Sequence, residues 1–224
     1  MLSEELSERA LNLLASGERH DPIVDVAHAG AWFRERGIPD CSKFVDFHSQ
    51  FGGIEYWIPN TCVFLGMWER DVLGRIVLPF CSRDTQGMFS VSCGNLLSAQ
   101  INLSIREDGF VFENDDLAYT SMVRCIEDHA AIAWVEQAYS KLCRARMVVR
   151  SAQPLDELGG AGVEVMREAC DQGVVWWRGD GLVIRDCAMV PPDEGCRIVS
   201  VNAAEQRAID KVRALLRGKI IDGA

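Results

Sequence analysis

Residues 38–57 read IPDCSKFVDFHSQFGGIEYW and predict a helix, a turn and a strand in immediate succession. Three phenylalanines recur here at spacings of three and four, the period of one helix face: Phe44, Phe47 and Phe51. The helix is expected to begin near Asp40, and Gly52 is placed to adopt the left-handed conformation in which many helices end. A strand at 54–58 follows. The stretch therefore predicts a helix that packs by one aromatic face and leads directly into a sheet.

The segment that follows is rich in β-branched and aromatic residues and is interrupted by glycine, proline and asparagine, which is typical of strands and turns. The predicted strands are 54–58, 61–66, 75–80, 88–93, 99–105 and 110–114. Their connections are too short for the crossovers that parallel neighbours need, so the strands should pair antiparallel. We therefore predict an α+β fold, with a mostly antiparallel sheet of about six strands flanked by helices.

Helices are predicted before and after these strands in the sequence, and again at the end of the chain. Apolar periodicity and capping residues indicate helices at about 3–17, 21–37 and 117–144. The rest of the chain reads as a C-terminal α/β extension, with a helix ending near Asp171, a hairpin at 174–186, a strand near 197–201 and a final helix. We expect an α+β domain at 1–146, and a subdomain or an extension of the same domain at 147–224.

The charge balance restricts the classes of partner. The chain has 224 residues, with 33 acidic and 23 basic side chains and a formal net charge of −10. A nucleic-acid footprint needs clustered cations that displace counterions from phosphates, so a nucleic-acid partner is not expected. An anionic membrane surface is disfavoured for the same reason.

Cysteine usage and the N-terminal sequence indicate a cytoplasmic protein. The nine cysteines are an odd number at irregular intervals, as expected of free thiols in a reducing compartment. The first residues are acidic, whereas a secretory signal begins with cations and an apolar core. No apolar run reaches the roughly 18 residues that a transmembrane helix requires.

Catalytic and metal-binding constellations are hard to assemble from this sequence. Cys125 and His129 are an i, i+4 pair that could supply half of a zinc site, but no HExxH or CxxC motif accompanies them. Cys41 and His48 share a helix face but are about 10 Å apart along its axis. The glycine-rich run at 158–163 lacks the residues of a phosphate-binding loop. We therefore expect no catalytic residues, no metal and no cofactor.

Tryptophans in or beside the predicted strands are candidates for a protein-binding surface. Because side chains alternate along a strand, Trp176 and Trp177 should point to opposite faces of their sheet. One of the two rings should be part of a core, and the other should be buried by the last helix or exposed to a partner. Exposed aromatic side chains beside acids are typical of protein-binding patches.

The stretch 38–57 resembles the signature of the SUKH superfamily, in which a proline precedes an aromatic-rich helix that ends in two glycines before the first strand. The residues that correspond to it are Pro39, Phe44, Phe47, Phe51, Gly52 and Gly53. The order of elements after the signature is also similar, with strands, a hairpin and then a helix that carries SMVRCIEDHA at 121–130. The resemblance covers about residues 20–140, and residues after 146 have no counterpart in it.

Bacterial members of this superfamily mostly look like immunity proteins. Such proteins bind and neutralise a cognate toxin domain and carry no catalytic residues. The resemblance thus implies a non-enzymatic protein whose partner is a toxin, for example a basic nuclease. The acidic composition fits a basic partner, because charge complementarity speeds encounter. From the clustering of acids and aromatic residues, we predict that the contacts include Glu55, Trp57, Trp68, Glu69 and Asp71.

Two other functions stay open at the level of sequence. One is a small cytosolic hydrolase or transferase that uses Cys125, His129 or Cys41. The other is a regulatory scaffold of the same fold.

Overall fold

The computed structural model describes residues 5–138, 143–188 and 195–221. The chain forms two units, Met1–Ile126 and Glu127–Ala224, and the boundary between them falls inside a long helix. Each unit combines helices with an antiparallel sheet, so the fold is α+β as predicted. The division at 146 that the sequence indicates stays a prediction. Within the described residues, no helix is long and apolar enough to cross a membrane.

The first unit opens with three helices: α1 (Glu8–Ser16), α2 (Val26–Glu35) and α3 (Ser42–Phe51). The Ser7 hydroxyl caps α1 by accepting from the amide of Ala10, and the Asp25 carboxylate caps α2 by accepting from the amide of His28. The prediction that the second helix starts at Asp21 is wrong. The side chain at position 25 satisfies the free amides of the first turn, and α2 therefore begins after it.

The strands of the first unit are β1 (Glu18–Arg19), β2 (Ile54–Ile58), β3 (Thr61–Leu65), β4 (Glu69–Arg70), β5 (Ile76–Val77), β6 (Cys81–Arg83), β7 (Phe89–Leu96), β8 (Ile101–Arg106), β9 (Val111–Glu113) and β10 (Asp116–Tyr119). Eight of them form an antiparallel sheet in the order β1-β2-β3-β7-β8-β9-β10, with β6 also paired to β7. The other two, β4 and β5, pair only with each other. The sheet thus has more strands than the six predicted.

Two predicted elements of this region differ from the structure. The predicted strand at 75–80 is only the two residues of β5, which lie outside the large sheet. The predicted helix at 117–144 is shorter, because residues before it form β10 and residues after it form a strand; α4 spans Met122–Ala138. In both cases the local apolar pattern fits more than one element, and pairing with distant strands decides between them.

The second unit is a five-stranded antiparallel sheet in the order β11-β15-β14-β13-β12. Its strands are β11 (Cys143–Arg150), β12 (Glu164–Val165), β13 (Val174–Gly179), β14 (Leu182–Ala188) and β15 (Cys196–Ala203), and the last helix is α5 (Gln206–Leu216). The predicted hairpin is confirmed as β13 and β14. The helix predicted to end near Asp171 is wrong: two short 3₁₀ turns, Asp156–Ala161 and Arg167–Ala169, occupy this stretch.

Both faces of the second sheet are buried. On one face Trp177 and neighbouring strand residues pack with Ile209, Val212 and Leu216 of α5. On the other face Trp176 packs with Ala131 of α4. The alternation predicted for the two tryptophans is therefore confirmed, and both rings are buried, at 2 % and 7 % exposure.

Candidate functional site

The first unit contains a cavity of about 410 Å³, which we call the central cavity. Its lining comes from the segment before α2, from the end of α3 and from the strands that follow: His20, Asp21, Pro22, Ile23, His48, Gly52, Gly53, Glu55, Phe64, Gly66, Met67, Trp68, Glu69, Arg70, Asn95 and Leu97. A volume of this size is typical of small-ligand sites. Residues 38–57 thus contribute four of the lining residues: His48, Gly52, Gly53 and Glu55.

The two glycines at the end of α3 are required by close backbone approaches. A β-carbon on Gly52 would lie 2.5 Å from the carbonyl oxygen of His48, and one on Gly53 would lie 2.6 Å from that of His20. The left-handed residue is Gly53, with φ of +81°, whereas Gly52 is extended. The sequence prediction that Gly52 takes the left-handed conformation is therefore wrong by one residue. The Gly-Gly pair lets the chain turn tightly into β2 beside the cavity.

His48 is a cavity-lining residue with 6 % exposure and one unused ring nitrogen. Its Nε2 lies 2.7 Å from the carbonyl oxygen of Val24. A carbonyl oxygen only accepts, so Nε2 donates this hydrogen bond; in the tautomer with its proton on Nε2, Nδ1 is an acceptor. Nδ1 is buried and has no hydrogen-bond partner within residues 5–138, 143–188 and 195–221. The ring also makes an edge contact with Trp68, with centroids 4.9 Å apart.

Glu69 and Asn95 form a second polar group on the cavity wall. The Asn95 amide nitrogen donates to Glu69 Oε1 over 3.2 Å, which leaves Asn95 Oδ1 buried without a partner. Partial burial raises the pKa of the Glu69 carboxyl, and no cation of the described chain forms an ion pair with it. At the cavity mouth Glu55 faces His20 at 3.7 Å, and both side chains are partly exposed. The cavity wall thus combines apolar side chains with the acceptor atoms of Glu69 and Asn95.

Residues 69–80, which we call the apolar hairpin, are the most exposed apolar segment of the described chain. They comprise β4, β5 and the residues that follow β5. Its exposed large apolar side chains are Val72, Leu73, Ile76, Val77, Leu78 and Phe80. Val72 is fully exposed, and Leu73 and Phe80 are each 72 % exposed. Together they present several hundred square ångströms of apolar surface, the size that marks interaction sites in soluble proteins.

The tip of the apolar hairpin is held in one conformation by Asp71. Its Oδ1 accepts from the amides of Leu73 and Arg75, each over 2.9 Å, and its Oδ2 accepts from Arg75 Nε over 2.6 Å. These bonds lower the pKa of the Asp71 carboxyl. Arg70 also donates to the carbonyl oxygen of Gly74 over 2.9 Å. An ordered turn therefore presents Val72 and Leu73 to solvent.

A second cavity, of about 540 Å³, lies beside the apolar hairpin. Val77, Leu78 and Phe80 line one side, and serine and asparagine side chains of the large sheet line the other. It shares Glu69 and Asn95 with the central cavity. Exposed apolar side chains of the hairpin and polar side chains of the large sheet therefore line the same cavity.

The structure brings three of the five predicted contact residues to the central cavity: Glu55, Trp68 and Glu69. Trp68 is only 4 % exposed and packs edge-on against Trp32 and Phe33, so it is part of a core and forms the cavity wall with little free surface. Trp57 is 65 % exposed on β2 and does not line the cavity. Asp71 orders the hairpin turn.

The other residues of the 38–57 signature are structural. Phe44, Phe47 and Phe51 are all buried on one side of α3, and Pro39 is exposed before the helix begins. The ring of Phe44 lies 5.2 Å from that of Phe33. These contacts fix the orientation of α3, and hence the position of His48 and of the two glycines on the cavity wall.

The cysteine and histidine residues of the enzyme alternative are inaccessible. Cys41, Cys125 and His129 are exposed by 7 %, 0 % and 2 %. Burial lowers the pKa of His129 to about 4. Among the residues that the structure describes, no three His, Cys, Asp or Glu side chains are grouped as a metal site requires. A hydrolase or transferase that uses these three residues would have to open its core to reach substrate.

Sequence reasoning missed the apolar hairpin. Its signal is the segment DVLGRIVLPF at 71–80, in which apolar residues occur on both sides of a glycine without strand alternation. Asp71 three residues before Gly74 is a turn signal. Read as a buried strand, the segment was expected inside the sheet; its exposure depends on the absence of a pairing partner other than β4.

The negative charge is concentrated in the first unit. Residues 1–126 carry 18 acidic and 10 basic side chains, whereas residues 127–224 carry 15 and 13. The unit with the central cavity and the apolar hairpin therefore accounts for eight of the ten excess negative charges.

Comparison with known proteins adds no assignment. No protein-family model, curated protein sequence or solved structure matches the chain.

Proposed function

We propose that this protein is a non-enzymatic binding protein of the immunity type, which neutralises a cognate toxin domain with a basic surface. The apolar hairpin, residues 69–80, carries the proposal. Six large apolar side chains are exposed within nine residues of an ordered turn and its flanks. Such a surface is stabilised when a partner removes it from water, by about 25 cal/mol for each square ångström of apolar area buried.

Charge and order both support a protein partner. The first unit is strongly acidic, which favours encounter with a basic surface and disfavours nucleic acid. The hairpin turn is held by Asp71 before any partner arrives, so that little conformational freedom is lost on binding. The resemblance of residues 38–57 to the SUKH signature agrees with this kind of function. A cytoplasmic location belongs to the same proposal and is supported by nine free cysteines.

The test is binding and growth rescue with the toxin domain encoded beside this gene. We expect a stable complex, and survival of cells that co-express both proteins. Replacing Val72 and Leu73 together by serine should weaken the complex at least tenfold. Isothermal titration calorimetry gives the dissociation constants, and the stability of the double variant should stay within about 0.5 kcal/mol because both side chains are exposed.

The matched control is Val165→Ser, which changes an exposed valine of β12 in the second unit. It should leave the affinity unchanged. Absence of a complex with the wild-type protein contradicts the toxin-binding proposal. Equal weakening by the Val165 and the Val72/Leu73 variants contradicts the assignment of the contact to the apolar hairpin. A regulatory scaffold uses the same hairpin with a different partner, and then binds without rescue of growth.

A further inference from the structure

We infer that the central cavity is a binding site for a guanidinium group. This inference goes beyond the toxin proposal and does not depend on it, because the cavity and the exposed side chains of the apolar hairpin are different surfaces. It starts from the polar atoms of the cavity wall whose hydrogen-bonding capacity the protein leaves unused.

The unused atoms are all acceptors. His48 Nδ1 and Asn95 Oδ1 are buried without a partner, although their residues line the cavity. Each buried unsatisfied atom costs about 1–3 kcal/mol, so two on one cavity wall are unusual. We infer that a ligand with hydrogen-bond donors satisfies both atoms. His48 is more than nine-tenths buried, and its Nδ1 lies on the side of Gly52, which is itself a lining residue.

The carboxylates define the charge of the missing donor. Glu69 accepts a hydrogen bond from Asn95, and no cation among the residues that the structure describes forms an ion pair with it. Glu55 lies 3.7 Å from the partly exposed His20 and is also hydrogen-bonded to the Cys62 thiol, so Glu69 is the carboxylate with the greater need of a cation. Arg70, the one arginine on the lining, is held by the carbonyl oxygen of Gly74. Partial burial makes an unpaired carboxylate unfavourable, so a cation at Glu69 is stabilising.

Shape and aromatic content favour guanidinium over ammonium. A guanidinium is planar and has five N–H donors, which suits several acceptors at different places on one wall. Phe64 lines the same cavity, is partly exposed and provides ring surface for a flat cation. Gly52, Gly53 and Gly66 keep side-chain atoms out of it. A cavity of about 410 Å³ has room for an arginine-sized group.

Because the two unused acceptors are sealed from water, binding has to displace side chains of the wall. Ligand binding should therefore change the surroundings of the His48 and Trp68 rings, which are in contact. Two sources supply the same chemistry: an arginine side chain of a polypeptide, or a free guanidinium compound.

The experiment titrates the wild-type protein with N-acetyl-L-arginine N-methylamide and, separately, with L-arginine. The readouts are calorimetry and the NMR signals of the His48 ring and the Trp68 indole. The citrulline analogue, which has the same shape but no charge, and the lysine analogue are the comparison ligands. We expect the arginine compounds to shift both signals, and to bind at least tenfold more tightly than either comparison ligand.

Glu69→Gln should weaken binding of the arginine compounds at least tenfold, because it removes the carboxylate and keeps the size of the side chain. Glu35→Gln, on the exposed side of α2, removes the same charge away from the cavity and should have no effect. Tighter binding of the capped ligand than of free L-arginine assigns the site to a polypeptide, and the reverse assigns it to a small molecule. No shift with either arginine compound, or equal affinity for the lysine analogue, overturns the inference. Neither result depends on whether the toxin complex forms.

Discussion

The two units use charged and apolar groups in opposite ways. The first unit carries most of the net charge and leaves six large apolar side chains of the apolar hairpin exposed. The second unit is nearly balanced in charge and encloses two ion pairs. Arg197 Nε donates to Asp186 over 2.5 Å, with 3 % and 0 % side-chain exposure, and Arg185 donates to the buried Asp128 over 2.7 Å. The first unit thus leaves apolar and acidic side chains exposed to solvent, whereas the second unit uses charged side chains to connect its own elements.

The buried pairs are hydrogen-bonded on several sides. Asp186 also accepts from the amide of Leu155, and Arg197 also donates to the carbonyl oxygen of Gly173. Asp128 also accepts from the indole nitrogen of Trp176 over 2.6 Å. Burial alone would raise the pKa of the Asp128 carboxyl, but Arg185, His129 and the Trp176 indole together outweigh it, and the pKa is lowered. These networks connect strands to the segments that cover them.

The largest expected effect is the loss of a buried partner. Asp186→Ala leaves the Arg197 guanidinium without its carboxylate inside the second unit. We expect the free energy of unfolding to fall by about 4 kcal/mol, because an uncompensated buried charge remains. Urea denaturation measures this change.

The matched control is Asp210→Ala, which removes the carboxylate of the exposed pair with Arg213 on α5. It should change stability by less than about 0.5 kcal/mol. Similar effects of the two substitutions would show that the second unit does not depend on its buried ion pair more than on an exposed one.

The second expected effect is a pH dependence from His129. Burial lowers its pKa in the folded protein to about 4, against 6.5 in the unfolded chain, while Asp128 and Arg185 act on it in opposite directions. The unfolded state therefore binds more protons between these values, and stability should fall as the pH decreases from 6.5 toward 4. The full difference is about 3 kcal/mol. It should be measured by urea denaturation at several pH values.

The share of His129 in this profile is isolated by its own substitution, because burial also raises the pKa values of the Asp186 and Glu69 carboxyls, which contribute equally in both proteins. His129→Gln should flatten the profile between pH 6.5 and about 4. A profile that stays as steep in the variant would show that other groups carry the dependence.

The third and smallest expected effect tests the first unit at its Gly-Gly turn. Gly53→Ala places a β-carbon 2.6 Å from a carbonyl oxygen at a φ of +81°, and should lower the free energy of unfolding by about 2 kcal/mol. Gly37→Ala has a similar φ of +74° but meets no atom within 4 Å, and should cost about 1 kcal/mol. Thermal unfolding of both variants measures the difference. Equal losses of stability would mean that position 53 requires glycine for its backbone conformation alone, and that the close approach of the carbonyl oxygen adds nothing.

The sequence predicts the fold class and the elements whose pattern is local. The aromatic face of α3 and the hairpin of β13 and β14 follow from spacing and turn residues alone. The apolar hairpin could not be assigned, because an apolar run is equally consistent with a buried strand and only pairing with distant residues separates the two. The central cavity could be predicted in part. The clustering of acidic and aromatic residues in the sequence predicts Glu55 and Glu69 as contact residues. The unused acceptor of His48, in contrast, depends on its contact with Val24, 24 residues away.

The adjacent tryptophans of β13 have a consequence for folding. Both faces of this strand are buried, so a shift of one residue in strand pairing would exchange the two indoles between the cores and lose almost no apolar contact. Hydrophobic patterning therefore does not specify the register here, as it does in a strand with one polar face. The hydrogen bond from the Trp176 indole to Asp128 separates the two registers, because Trp177 has no such acceptor on its side. The Asp128 carboxylate thus favours the observed alignment, together with the tight turn that joins β13 to β14.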